Sequence, residues 1–148
     1  MGLFSWIGKK KGVGMARKLL FDRIIADHGN NNIIVSMDAD TTFGTNYLHS
    51  IAEQFNTTPR LSAIAVPYYH PLGNDDNGNR AILRYELYMR YYMLQLLRIK
   101  SPYAFTALGS AMAFTPQAYT VAGGITPLEG GEDFYLMQKF CKTGHISI

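Results

Sequence analysis

The chain has 148 residues, enough for one domain with a moderate core, and its 47% hydrophobic and 17% charged residues describe a folded chain, not a disordered one. The formal charge of +3 is mild and owes much to Lys9-Lys10-Lys11 with Arg17 and Lys18, so nucleic acid is not an expected partner. The single cysteine, Cys141, excludes an internal disulfide and a cysteine-rich zinc site. No run reaches the ~18 apolar residues of a spanning helix, and Met1 to Ile7 is too short for a secretory segment, so the expected location is the cytoplasm.

After a basic leader over residues 1–11, Gly12 to Ile25 carries apolar residues at spacings of three and four and predicts a helix. Gly12 and Gly14 complete neither a Walker nor a dinucleotide pattern. Asp27 to Asn32, with a glycine and three asparagines, ends the helix and leads to a buried strand, Ile33-Ile34-Val35-Ser36-Met37. Asp38 and Asp40 follow at its carboxyl end. If the segment stays extended, alternation points both carboxylates to one place, where they would attract a divalent cation.

A second helix is predicted over Asn46 to Asn56 and a second strand over Leu61 to Val66, ended by Pro67; strand, helix and strand together imply parallel strands. Pro71 to Asn79 is a polar surface loop whose glycine and closing position miss the EF-hand register. Arg80 to Arg98, dense in Leu, Met and Tyr, reads as a core helix with tyrosine hydroxyls at the surface. Its arginines leave open peripheral contact with the inner face of a membrane. Tyr103 to Phe114 reads as an extended stretch broken at Gly109-Ser110, where small residues admit a ligand close to backbone. A short helix from Pro116 to Val121 ends at Gly123-Gly124. A last helix, Glu132 to Lys142, buries Phe134, Met137, Phe140 and Cys141 and places Glu132 and Asp133 at its start, where backbone donors favour negative charge.

Three readings compete for the aspartate pair. In the plainest, Asp38 accepts backbone hydrogen bonds and Asp40 caps a turn. A second follows from Asp38-Ala39-Asp40-Thr41-Thr42, which fits the Asp-x-Asp-x-Thr signature of haloacid-dehalogenase-type phosphatases, with Asp38 as nucleophile and Asp40 as acid/base. That family's later acidic pair follows an apolar strand, whereas Glu132-Asp133 follows glycines and opens a helix. The third reading is metal-assisted glycosyl transfer.

The order of Asp38-Ala39-Asp40, Gly109-Ser110-Ala111-Met112-Ala113-Phe114, Tyr119, Gly123-Gly124 and Gly131-Glu132-Asp133-Phe134 resembles the family-2 inverting glycosyltransferases over residues 12–146. The resemblance implies an α/β, GT-A-like mixed sheet flanked by helices, a nucleotide-sugar donor, and a hydroxyl acceptor on a glycan or lipid. It assigns Asp40 to Mg²⁺ or Mn²⁺ and Asp38 to the neighbourhood of the ribose. Gly109 and Ser110 would line the donor sugar, Asp133 would be the general base, and Glu132 would assist it or contact the acceptor. Arg17 and Lys18 lie on the helix that would face the nucleotide, within reach of base or phosphate, although periodicity alone puts them on a solvated face. His145 is a further metal-ligand candidate beside a structural role at a strand start. Relatives carry a base-binding strand and a second unit before the first helix matched here, and further elements after the Glu-Asp helix. The resemblance therefore implies an incomplete catalytic domain over 1–148, with weakened nucleotide affinity and an open sheet edge prone to self-association. An inactive remnant is the non-enzymatic alternative.

Overall fold

The computed structural model describes residues 12–148, so the basic leader over 1–11 lies outside the described residues. Helices and strands follow in the order α1 (Val13–His28), β1 (Ile34–Ser36), α2 (Tyr47–Thr57), β2 (Leu61–Ala65), α3 (Asp76–Arg98), β3 (Met112–Phe114), α4 (Pro116–Val121), α5 (Glu132–Thr143) and β4 (His145–Ser147). The expected α/β class holds as a mixed α/β fold around one four-stranded mixed sheet.

Strand order is β1-β3-β2-β4. β3 runs antiparallel to both neighbours, with Ser36, Met112 and Ala65 in one row and Ile34, Phe114 and Ala63 in another. β1 and β2 therefore point the same way, as a strand-helix-strand unit requires, but they share no ladder because β3 lies between them. All three β3 residues, Met112, Ala113 and Phe114, are buried, which suits a central strand covered on both faces. β4 pairs parallel to β2, with an irregularity between Leu61 and Ala63.

That irregularity decides which side chains face which layer. Ala63 and Ala65 join Phe21 of α1, Phe114, Tyr119 of α4, and Leu136, Met137 and Phe140 of α5 in one apolar cluster. Leu61, Ile64 and Val66 join Ile51 of α2 and Ala113 in the other. Leu61 and Ala63 would share a face in a regular strand; the register shift between them sends Leu61 to the α2 side. Phe114 is the hub of the larger cluster, with ring centroids 5.1 Å from Phe21, 5.7 Å from Tyr119 and 5.3 Å from Phe140. On α5 the expected buried residues Met137 and Phe140 are joined by Leu136 and Glu132, while Phe134 and Cys141 are only half-buried. Cys141 Sγ donates to Pro102 O at 3.0 Å, and burial pushes its thiol pKa up.

Three expectations fail here for physical reasons. The stretch from Tyr103 to Phe114 is irregular until Met112, since Ala111 N donates to Leu108 O in a turn and not to a neighbouring strand. α3 starts at Asp76, within the expected loop, because the Asp75 carboxylate caps it by accepting from Asn77 N at 3.1 Å and Gly78 N at 3.0 Å. Nor is α3 a core helix: none of its residues is buried. Its apolar contact with the body runs along a half-buried line, Ile82, Met89, Met93 and Leu96, with Glu86 among them, while Leu83, Leu87, Tyr88, Tyr91 and Leu94 face outward.

The polar part of that line fixes the helix. Glu86 Oε1 lies 2.8 Å from His70 Nδ1, Glu86 Oε2 accepts from Arg90 Nη1 at 2.6 Å, and Arg90 Nη2 donates to Tyr68 O at 2.7 Å. These contacts, led by the His70 hydrogen bond, hold the Glu86 carboxyl below its ordinary value of 4.5. A carboxylate lowered in the folded state stabilises fully above its unfolded pKa, and the contribution is lost as pH falls through the folded value. Urea midpoints measured from neutral pH into the region below 4.5 should thus fall in the parent chain and fall less steeply in Glu86→Gln. Equal slopes would show that the network contributes no pH-dependent stability.

Candidate functional site

β1 ends at Ser36, a buried polar residue in an apolar strand, and its hydroxyl donates to Gly109 O at 2.6 Å. This bond pins the Gly109-Ser110 turn over the carboxyl end of β1. Beyond Met37 the backbone does not stay extended. Thr41 N donates to Asp38 O at 3.1 Å and closes a turn through Ala39 and Asp40, so strand alternation no longer sets the directions of the two carboxylates. Asp40 is exposed, and no hydrogen bond to its side chain occurs among the described residues.

Helix α1 comes close to the loop that precedes α5. A Cβ on Gly14 would stand 2.6 Å from Leu128 O and 3.0 Å from Leu128 N, so only glycine permits this approach. Three residues on, Arg17 reaches across the gap. Its Nη1 donates to Glu132 Oε1 and its Nη2 to Asp38 Oδ1, the latter at 3.0 Å. The Arg17 side chain is 13% exposed and that of Glu132 3%, against 53% for Asp38. Arg17 is therefore not on a solvated helical face as periodicity suggested; the buried Glu132 carboxylate requires a cation and draws it in. Lys18 does stay outside, paired with Asp22 at 2.7 Å within its own helix.

The guanidinium also lies against the turn: a Cβ on Gly109 would meet its atoms at 2.2 to 2.4 Å. One side chain thus touches the loop after β1, the turn before β3 and the first turn of α5, and it brings together Arg17, Asp38, Gly109 and Glu132. Gly131 enters α5 at φ 74°, and Glu132 and Asp133 occupy the helix start, where the backbone N–H groups favour negative charge. Asp133 stays half-buried, its Oδ1 accepting from Phe134 N at 2.7 Å. Arg17 neutralises one carboxylate of this group, which leaves the acidic segments as a whole negative.

His145 does not join them. It pairs with Leu61 at the amino end of β2, whereas Asp38 leaves the sheet at the opposite end, and β4 lies three strands from β1, about 14 Å. Among the described residues no three His, Cys, Asp or Glu side chains are grouped to hold a metal by themselves. An open cavity of about 150 Å³ lies at the same end of the sheet as Asp38, lined by Ala65, Pro67, Tyr68, Arg90, Met93, Thr106 and Ile148. Burial raises the Tyr68 hydroxyl to about 12, so it keeps its proton at neutral pH and can donate a hydrogen bond.

None of the family models, curated proteins or solved structures compared with this chain matches it.

The Arg17 bridge can be tested through stability. Arg17→Met leaves the Glu132 carboxylate buried and unpaired, which costs about 3–5 kcal/mol in urea unfolding, and adding Glu132→Gln should restore most of that loss. A single variant as stable as the parent would mean that the bridge is not formed in solution.

Proposed function

We propose that this chain is part of a GT-A-like inverting glycosyltransferase that moves a sugar from a nucleotide-diphosphate donor to an acceptor hydroxyl. The observation that carries the reading is the Arg17 bridge: segments that the sequence resemblance marks as donor-binding and catalytic, far apart along the chain, meet at one end of the sheet. The open end of an α/β sheet is a usual place for a ligand.

In this reading Asp38 and the Gly109-Ser110 turn, whose buried glycine lies under the Arg17 guanidinium, face the donor, and Arg17 is close enough to exchange one carboxylate for a phosphate oxygen. Asp133, not the enclosed Glu132, has the exposure to meet an acceptor. The acceptor oxygen attacks the anomeric carbon from the face opposite the diphosphate, the bond to the diphosphate breaks with its electron pair leaving on phosphate, and Asp133 takes the hydroxyl proton. Glu132 keeps the Arg17 guanidinium in place. The exposed oxygen donor at Asp40 fits Mg²⁺ or Mn²⁺, ions commonly held by one or two carboxylates together with substrate phosphates, and such an ion would neutralise charge on the departing diphosphate.

The test is release of nucleoside diphosphate from a panel of UDP- and GDP-sugars with Mn²⁺ and the purified chain. Turnover should vanish in Asp40→Asn, and Asp133→Asn should slow transfer by about 10² to 10⁴ while donor binding persists. Turnover of p-nitrophenyl phosphate that disappears in Asp38→Asn would replace this reading with the phosphatase. Neither activity, with association that grows with concentration, would point to a non-catalytic fragment.

A further inference from the structure

We propose that the outward face of α3 is a docking surface for an anionic lipid bilayer, with the helix lying along the membrane plane. This inference does not depend on the sugar-transfer reading.

α3 has 23 residues, about 34 Å of helix, and none of them is buried. That is unusual for a helix so rich in large apolar side chains. Leu83, Leu87, Leu94 and Leu97, at intervals of four, seven and three, form one strip along its outer side. All four are exposed, Leu87 to 70%. Arg80, Arg84 and Arg98 run along one flank of the strip with Tyr91 among them, and Tyr85, Tyr88 and Tyr92 continue the surface beyond. Such an exposed patch of leucines and tyrosines, rimmed by charge, is the kind that marks an interaction surface.

The charge selects the partner. Past the first turn the helix has one acidic residue, Glu86, which faces inward and is already held by His70 and Arg90. Arg80, Arg84, Arg98 and the following Lys100 form no ion pair among the described residues. Four cations without partners beside an apolar strip complement a surface that offers negative charge and hydrocarbon together. A second copy does not, because an isologous pair of α3 helices would set arginine against arginine. No helix among the described residues, α3 included, is long and apolar enough to cross a bilayer. Lying in the headgroup layer is the remaining geometry. The leucine strip would reach the acyl boundary, the guanidinium groups the phosphates, and the tyrosines the interface that amphipathic rings favour.

Co-sedimentation of the full chain with vesicles tests this. The chain should bind vesicles of phosphatidylcholine containing phosphatidylglycerol and bind phosphatidylcholine alone far more weakly. A variant with Arg80→Gln, Arg84→Gln and Arg98→Gln should lose about a hundredfold in partitioning, and a separate variant with Leu87→Ser and Leu94→Ser should lose binding in both lipid mixtures. Both sets of residues are exposed, so an unchanged far-UV spectrum is expected. The proposal is overturned if the parent chain ignores anionic vesicles, or if both variants bind as the parent does. It is also overturned if binding is lost only when Lys9, Lys10 and Lys11 are replaced by Gln. Self-association abolished by Leu87→Ser and Leu94→Ser, without vesicle binding, would overturn it in favour of a second copy.

Discussion

A buried carboxylate needs a cation, and in this chain that need is met by Arg17. Glu132 sits in the first turn of α5 with almost no exposure to water, an arrangement that would cost several kcal/mol unpaired. Meeting it brings α1 across to α5, and the closeness rests on Gly14, which leaves room for the Leu128 backbone. The second half of the guanidinium then holds Asp38, and its flat face requires a glycine at 109. One arginine thus fixes α1 against three other chain segments with which it shares no strand pairing. Helix packing against Phe114 supplies cohesion on the same face, but apolar contacts are non-directional and would tolerate a slide of α1 that the bridge does not.

The sheet explains why these segments meet at one end. Because β3 runs opposite to its neighbours, the carboxyl ends of β1 and β2 flank the amino end of β3. The chain leaving β1 at Asp38, the chain leaving β2 at Pro67 and the chain entering β3 at Gly109 consequently crowd together. Ser36 ties the first to the third with a buried hydrogen bond, and Val66 N ties the second to the third by donating to Ala111 O at 2.9 Å. Parallel pairing of β1 with β2 would have left no room for the Gly109 turn between them.

Much of this was legible in the residues. Periodicity located α1, α2, α4 and α5, the apolar runs located β1 and β2, and Gly123-Gly124 marked the end of α4, with φ of 72° and 70°. What failed was information that local pattern does not hold. Insertion of β3 between β1 and β2 is a long-range pairing, and nothing in Met112–Phe114 specifies its neighbours. Arg17 looked like any arginine on a polar helical face, since the acid that recruits it lies 115 residues away. Ser36 was the readable hint: a serine inside an apolar strand implies a fixed acceptor. α3 misled for the opposite reason, because apolar density suggests burial and yet only one side of that helix has protein to pack against.

Charge balance links the bridge to the chemistry proposed for it. Asp38, Asp40, Glu132 and Asp133 contribute four carboxylates to the two acidic segments, and Arg17 is the cation that the structure sets between them. A nucleoside diphosphate arriving alone would meet net repulsion there, and a monovalent side chain already paired with two acids cannot offset it. In the proposed reading a divalent ion at the exposed Asp40 would offset two of those negative charges without disturbing Glu132, which the fold needs. The division of labour follows from exposure. The enclosed carboxylate holds the architecture together through Arg17, and in the proposed reading the exposed Asp40 and the half-buried Asp133 would be the ones left to a metal and to a proton.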